Sequence, residues 1–406
     1  MSAPRLVVVD GIRTPFCKWN THFANVAADE LGRVAVSALL TKTGLDPTLI
    51  DEVIFGCVCQ PVESANIARV IALRAGIPES VPAITVHRNC ASGFEAITTA
   101  YERMAAGHGS VFIVGGAENM SQVPLLFQQR TAKKYGALGS AKTLLKKMAA
   151  LAKFRISDFE PRIALKLGLT DPVSGLNMGE TAEILSREND IGRTAQDEFA
   201  VQSHQHAVAA HDKLADEICP VYVNSHAVTE DNGPRADTSF TALAKLKPAF
   251  DRRYGTVTPG NSSQITDGAV ALLVMTEEKA AELGFKQPLG VLTNYAYTGC
   301  DPSRMGLGPV SAIRKIGRPL ADADLIEINE AFAAQVLAVL KQLGDVPREK
   351  LNVNGGSIAL GHPVGATGAR LVLSTLKELQ RRQGRRALVS LCVGGGQGGA
   401  LWLERP

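Results

Sequence analysis

The sequence lacks a charge imbalance, a CxxC pair and any long apolar run. Its 43 basic and 40 acidic residues give a formal charge of +3, which is too balanced for a nucleic-acid-binding protein. The seven cysteines are odd in number and include no CxxC pair, so neither a disulfide framework nor a zinc site is expected. No stretch reaches the roughly 18 apolar residues of a membrane span, and the N-terminus has no secretory or transit pattern. We therefore expect a cytoplasmic protein with reduced thiols.

The sequence does contain an internal repeat. Short β-branched runs alternate with helical patterns, which is typical of an α/β fold. Residues 44–55 and 319–328 each contain a polar turn that leads into a strand. Further along each half comes a strand that ends in glycines, at 111–116 and at 387–395. This repeat predicts two copies of one α/β unit that together build one active site.

An insertion of different character, roughly residues 120–245, separates the halves. Its segment 130–166 carries ten basic residues against two acidic ones, and apolar residues from Leu138 to Ala152 recur at near-helical spacing. One interpretation is an amphipathic helix that packs on the body and exposes its lysine face. The other is a surface for anionic phosphates or anionic lipid.

Cys90 is predicted to lie where a strand meets the start of a helix. Free N–H groups and the helix dipole at that point lower a thiol pKa, which favours a nucleophile. A buried structural cysteine is the alternative.

Three downstream residues bear on that choice. His362 lies among the five glycines of segment 352–370, where backbone can approach a ligand closely, and it is predicted to open a helix. Cys392 follows a buried strand and precedes a glycine run. That run matches GxGxxG, but too few residues follow it for a dinucleotide-binding helix, which excludes a nicotinamide dehydrogenase. With Asn329 at a strand end, two thiols and a histidine suit acyl transfer through a thioester.

Four segments together resemble the active-site blocks of the thiolase family. They are listed here in chain order: Asn89-Cys90-Ala91-Ser92-Gly93, Asn329-Glu330-Ala331-Phe332, Gly361-His362-Pro363 and Cys392-Val393-Gly394-Gly395-Gly396. The resemblance covers essentially the whole chain and implies a five-layered αβαβα fold of two repeated halves with an inserted loop domain. We expect residues 1–120 and 246–280 to form the N-terminal half, 121–245 the loop domain over CoA and substrate, and 281–406 the C-terminal half.

The resemblance also implies a role for each residue. Cys90 would be the acylated nucleophile, His362 its activator and Cys392 the acid/base for the acetyl carbon. Asn329 would hold a water that forms one oxyanion hole with His362, and the N–H groups of Cys90 and Gly394 would form the other. The residues expected to contact CoA are Ser263, Phe250, Met178 and Phe332. CoA and acyl-CoA would be substrates, with no tightly bound cofactor and no metal.

The sequence defines the subgroup within the thiolase family less sharply. Asn177 replaces the histidine of short-chain thiolases, and Asn261-Ser262-Ser263-Gln264 departs from their Asn-Ala-Ser-Gly. These features resemble the thiolase subunits of β-oxidation trifunctional complexes, although those usually have histidine in place of Asn329. We expect cleavage of 3-ketoacyl-CoA or the reverse Claisen condensation. The alternatives are a short-chain acetyl-CoA C-acetyltransferase and a non-catalytic acyl- or lipid-binding protein.

Two further expectations concern related enzymes and partners. A decarboxylating ketoacyl synthase would need a second catalytic histidine in place of Asn329, so that rival is excluded. The resemblance implies a homodimer or homotetramer. A hydratase/dehydrogenase subunit or a membrane surface is the candidate partner of residues 130–166.

Overall fold

The computed structural model describes residues 5–405. Its strands are β1 Leu6–Arg13, β2 Cys17–Lys18, β3 Glu52–Gly56, β4 Ala83–Val86, β5 Val111–Asn119, β6 Leu125–Leu126, β7 Arg162–Ile163, β8 Val221–Val223, β9 His226–Val228, β10 Thr266–Thr276, β11 Gly290–Gly299, β12 Leu325–Ile328, β13 Arg386–Val393 and β14 Gln397–Glu404. Its α-helices are α1 Ala28–Thr43, α2 Ile67–Arg74, α3 Ser92–Ala105, α4 Gln129–Ser140, α5 Leu144–Leu151, α6 Ala164–Gly168, α7 Met178–Glu188, α8 Arg193–Ala209, α9 His211–Ala215, α10 Phe240–Ala244, α11 Glu277–Glu282, α12 Gly308–Ile316, α13 Ala333–Leu343, α14 Ser357–Leu360 and α15 Val364–Arg382.

One large sheet joins the two parts of the chain. Its strand order is β12-β13-β14-β11-β1-β10-β5-β3-β4, and β2 pairs with β10 off this path. The antiparallel pairing of β1 with β11 connects the strands of the first part to those of the second. The outer pairs β3–β4 and β12–β13 are both parallel.

The strands and helices alternate in five layers. Because side chains of a strand alternate between its faces, Phe112 and Val114 of β5 face a central core, whereas Val111 and Ile113 face an outer core. The central core contains α3, α15 and strands of both halves. Helices α1 and α2 cover one outer face, and α12 and α13 cover the other. This confirms the predicted α/β fold of the five-layered αβαβα type.

The predicted repeat corresponds to matching elements. In each half a short 3₁₀ turn, Pro47–Leu49 or Leu320–Asp322, precedes the strand β3 or β12. A parallel segment then lies beside that strand: β4 beside β3, and an isolated bridge at Leu351 beside β12. From these segments the chain runs into the two central helices, through Cys90 to α3 and through His362 to α15. The two residues therefore occupy related positions in the repeat.

Two details differ from the sequence predictions. The apolar pattern from Leu138 to Ala152 in the basic segment lies on two helices, α4 and α5, rather than one, and the chain between them is extended at Ala141 and Thr143. The Thr143 side chain accepts from the N–H of Lys146, which begins a new helix there. The second difference is that α15 begins at Val364, so His362 lies in the preceding loop. Among residues 5–405, no helix is long and apolar enough to cross a bilayer.

Candidate active site

A tight turn before α3 holds Cys90. Asn89 has a left-handed backbone, with φ of 43°, and its Nδ2 donates to the Gly394 carbonyl at 2.7 Å. The Ser92 hydroxyl donates to the Asn89 carbonyl at 2.7 Å and accepts from the N–H of Arg88 at 2.9 Å. This turn places the half-buried Cys90 beside the glycine run that follows Cys392.

The pKa of Cys90 departs from its ordinary value in the direction opposite to our prediction. Burial raises the pKa of the Cys90 thiol, and hydrogen bonds from the N–H groups of Gly394 and of Cys90 itself offset only part of the rise. The prediction that the start of the helix lowers the pKa of Cys90 is therefore wrong. Removal of the Cys90 proton requires a base.

His362 has the properties of such a base. Its Nδ1 lies 2.6 Å from the Thr367 hydroxyl, which donates its proton to the Pro363 carbonyl at 3.0 Å. Because that proton is already donated, Nδ1 carries the imidazole proton and Nε2 carries a lone pair. The buried Nε2 has no hydrogen-bond partner within residues 5–405. Burial, together with the charge of Arg370, lowers the pKa of His362 to about 4, so the ring is neutral at pH 7.

Cys392 lies at the end of β13 in a buried apolar cluster. Met178, Phe250 and Phe332 belong to this cluster, and the rings of Phe250 and Phe332 meet edge to face at 6.1 Å. Burial raises the pKa of the Cys392 thiol well above its usual range, and the nearby Cys90 raises it further. Cys392 is therefore a protonated thiol at neutral pH.

Asn329 follows β12 and presents a buried amide. Its Oδ1 accepts from the Ser357 hydroxyl at 2.6 Å, and this bond orients Nδ2 away from Ser357. Within the described part of the chain Nδ2 has no hydrogen-bond partner. A buried donor without a partner is costly, which favours a ligand or water at this point.

Ser263 lies on the segment that runs beside the Asn329 block. Its N–H donates to the Ala331 carbonyl at 2.9 Å, and the neighbouring Ser262 forms a β-bridge with Phe332. The fold thus places Ser263 beside Ala331 and Phe332, which belong to the apolar cluster around Cys392. Across residues 5–405, no group of His, Cys, Asp and Glu side chains is arranged to hold a metal ion.

Sequence reasoning missed two buried carboxylates that support this site. Glu330 accepts from the Ser203 hydroxyl at 2.6 Å, from Asn352 Nδ2 at 2.8 Å and from the N–H of Ile358 at 3.2 Å. These bonds hold the loop that leads to His362. Glu118, at the end of β5, is the second. In the sequence, each of these two glutamates is recognisable only as a charged residue at or just after the end of an apolar strand. Their hydrogen-bond partners are distant in the sequence, so the sequence does not indicate their role.

Comparison with known proteins identifies the family. The models of the thiolase N-terminal domain and the thiolase C-terminal domain match residues 6–278 and 286–405. The chain is 41% identical to a 3-ketoacyl-CoA thiolase of Serratia proteamaculans, over 98% of this chain and 97% of the relative. It is 41% identical to a 3-ketoacyl-CoA thiolase of Pectobacterium atrosepticum, over 98% of this chain and 96% of the relative.

Solved structures agree with this assignment. The Bacillus anthracis acetyl-CoA acetyltransferase superposes with a TM-score of 0.90 at 39% identity, covering 100% of this chain and 99% of that one. Human mitochondrial 3-ketoacyl-CoA thiolase in complex with CoA superposes with a TM-score of 0.89 at 36% identity. The match covers 100% of this chain and 98% of that one. The fold and these matches define an acyltransferase. The chain belongs to the thiolase family.

Proposed function

We propose that this protein cleaves 3-ketoacyl-CoA with CoA to give acetyl-CoA and an acyl-CoA shortened by two carbons, and that it also catalyses the reverse Claisen condensation. The relatives named 3-ketoacyl-CoA thiolase support this substrate class. The observation that carries the proposal is the unpartnered Nε2 of His362, the lone pair of an imidazole that burial keeps neutral.

In the first half-reaction His362 Nε2 takes the proton of Cys90, and the thiolate attacks the 3-keto carbon. The C2–C3 bond then breaks, and Cys392 donates its proton to the leaving acetyl-CoA carbon. This leaves an acyl group on Cys90, a protonated His362 and a Cys392 thiolate. The raised pKa of Cys392 suits an acid for such a carbanion.

In the second half-reaction CoA gives its thiol proton to Cys392 and attacks the acyl carbon. Cys90 leaves as a thiolate and recovers its proton from His362, so both groups return to their starting states. Nδ2 of Asn329 would hold a water that, with His362, stabilises one oxyanion. The N–H groups of Cys90 and Gly394 would stabilise the other.

CoA would bind along Ser263, with Phe250, Met178 and Phe332 around its reactive end. We assign residues 1–120 and 246–280 to the N-terminal half, 121–245 to the loop domain and 281–406 to the C-terminal half. Residues 1–4 and 406 lie outside the described residues. A short-chain acetyl-CoA C-acetyltransferase remains the second candidate, because the Bacillus anthracis protein has that name.

Parallel assays on acetoacetyl-CoA and 3-ketohexadecanoyl-CoA test the proposal, with wild type and Cys90→Ala compared. Preference for the long substrate supports a role in fatty-acid β-oxidation, and preference for the short one supports the second candidate. Cys90→Ala should lose roughly 10⁴-fold or more in turnover of either. Absence of cleavage in wild type would instead favour a non-catalytic acyl-binding protein.

We also propose a cytoplasmic homodimer or homotetramer. Strand β4 ends the sheet path and, among residues 5–405, pairs only with β3. Its free edge can pair with β4 of a second copy. Light scattering of wild type and of a variant with Thr85→Pro, which interrupts that edge, tests this: the variant should be a monomer, and an unchanged mass would contradict the edge pairing.

The segment 130–166 is proposed to dock on an anionic bilayer. Leu144, Leu145 and Met148 on α5 are 77%, 83% and 61% exposed. Lysines and arginines surround them, and Lys153 and Arg155 line a cleft of about 390 Å³ beside α4. Apolar side chains that insert between lipid chains and cations that contact headgroups are the features of an interfacial segment.

Vesicle sedimentation tests this surface with phosphatidylcholine alone and with added phosphatidylglycerol. Wild type should bind only the anionic vesicles, and Leu145→Glu should lose binding. Val62→Glu is the matched control, because Val62 is 78% exposed elsewhere. The proposal would be contradicted if wild type did not sediment with the anionic vesicles. It would also be contradicted if the segment bound a hydratase/dehydrogenase subunit and Leu145→Glu abolished that complex.

A further inference from the structure

Glu118 connects the two halves of the molecule directly behind the active site. It lies at the end of β5 and is fully buried. Its Oε1 accepts from the N–H of Cys59 at 2.8 Å, and its Oε2 accepts from the N–H groups of Val58 at 3.0 Å and Gly365 at 2.8 Å. Val58 and Cys59 follow β3, whereas Gly365 lies in the first turn of α15.

The chemistry of these contacts sets the state of the carboxylate. The Cys57 thiol is a fourth donor, with its Sγ 3.7 Å from Oε1. Within residues 5–405, Glu118 is the acceptor in each of its hydrogen bonds, and both of its carboxylate oxygens accept. A protonated carboxyl would present an O–H to backbone N–H groups, which cannot accept it, or to the Cys57 sulfur, which is only a weak acceptor. Glu118 is therefore ionised, although burial raises its pKa.

The packing around Glu118 leaves no room for another arrangement. A Cβ on Gly365 would lie 2.9 Å from Cys57 Cα and 3.0 Å from Glu118 Oε2. A Cβ on Gly116 would lie 2.0 Å from the Gly365 carbonyl oxygen. The start of α15 is thus in direct backbone contact with β5, and the Glu118 carboxylate is the polar group at this contact.

Gly365 lies between His362 and Thr367, the residue that fixes the imidazole ring. We propose that Glu118 is a positioning residue, which fixes the His362 loop of one half against the strand ends of the other. This role follows from the hydrogen bond that Glu118 accepts from the N–H of Gly365. This inference rests on the proposed function.

Three variants test the position of the carboxylate. Glu118→Gln turns an amide N–H₂ toward the backbone donors. Glu118→Asp keeps the charge but shortens the side chain. Glu183→Gln is the matched control, because buried Glu183 likewise accepts from backbone N–H groups, those of Thr256 and Val257.

If Glu118→Gln does not fold, Glu118→Asp still tests the role, because its shorter side chain moves the carboxylate away from the N–H of Gly365.

Turnover reports the position of His362. Misplacement of His362 should lower kcat by about 10²-fold in both Glu118 variants, with KM for CoA unchanged, whereas Glu183→Gln should keep the wild-type kcat. Wild-type kcat in either Glu118 variant would overturn the inference. Failure of the proposed function is distinguishable, because then wild type itself would show no turnover and no acylated Cys90.

Discussion

The Thr367 hydroxyl lies 2.6 Å from Nδ1 of His362 and donates its own proton to the Pro363 carbonyl. This pair selects the imidazole tautomer that leaves a lone pair on Nε2. The burial that lowers the pKa of His362 keeps the ring neutral. The properties of the catalytic base therefore depend on a residue that makes no contact with the substrate in the proposed mechanism.

Replacing Thr367 with valine should slow acylation of Cys90. The isosteric Thr367→Val variant removes the acceptor for Nδ1–H, so the ring loses both its tautomer and its orientation. We expect a fall in kcat of about 10²-fold, the lower end of what general acid–base catalysis contributes. Thr367→Ser keeps the hydroxyl and should recover most of the activity. Equal activity of the valine and serine variants, in a stopped-flow assay, would contradict this assignment.

Removal of the Ser357 hydroxyl should weaken the oxyanion site without changing its residues. Ser357→Ala frees Asn329 Oδ1, and the amide is no longer held with Nδ2 toward the site. We expect kcat to fall by about 10-fold, whereas Asn329→Ala should lose about 10²- to 10³-fold, as for loss of one oxyanion donor. Steady-state kinetics on acetoacetyl-CoA measures both. A larger loss in Ser357→Ala than in Asn329→Ala would contradict this geometry.

The fold was predictable, and the candidate site residues could be proposed, because both lie in local patterns. Apolar periodicity indicated the α/β layers, and the repeat placed Cys90 and His362 in related positions. Of the residues that the resemblance proposes to contact CoA, Met178, Phe250 and Phe332 lie in one apolar cluster with Cys392.

The errors have physical causes that a sequence does not display. The prediction for the Cys90 pKa considered the helix start but not burial, which is the larger influence. Glu118 and Glu330 were missed because their hydrogen bonds span up to 247 residues. The break between α4 and α5 was missed because the apolar spacing continues across it.

A methyl group on Gly356 should destabilise the loop before His362. The added Cβ would lie 2.2 Å from Glu330 Cδ, so Gly356→Ala must displace a buried carboxylate. We expect a loss of about 1 to 3 kcal/mol in the free energy of unfolding. Gly136 in α4 is the control, since its Cβ would meet no atom within 4 Å, and Gly136→Ala should stabilise the protein by about 0.5 to 1 kcal/mol. Urea unfolding measures both, and equal effects would contradict the steric account.

Stability should fall in mild acid. Burial lowers the pKa of both His204 and His362 to about 4, whereas an unfolded histidine titrates near pH 6.5. Between these values the unfolded chain binds more protons, so the free energy of unfolding rises with pH. Going from pH 7.5 to 5 should cost roughly 2 kcal/mol for each histidine.

His204→Gln checks this prediction, because His204 lies outside the proposed catalytic groups. The variant should lose less stability than wild type between pH 7.5 and pH 5, measured as the shift in the urea midpoint. A shift equal to that of wild type would show that His204 does not contribute.

The most direct test of the central claim is the mass of the enzyme after rapid mixing with 3-ketohexadecanoyl-CoA in the absence of free CoA. The account predicts one equivalent of acetyl-CoA released and one tetradecanoyl group on a peptide that contains Cys90, with neither in Cys90→Ala. An acyl group on Cys392, or acetyl-CoA released without any acylated Cys90, would contradict it.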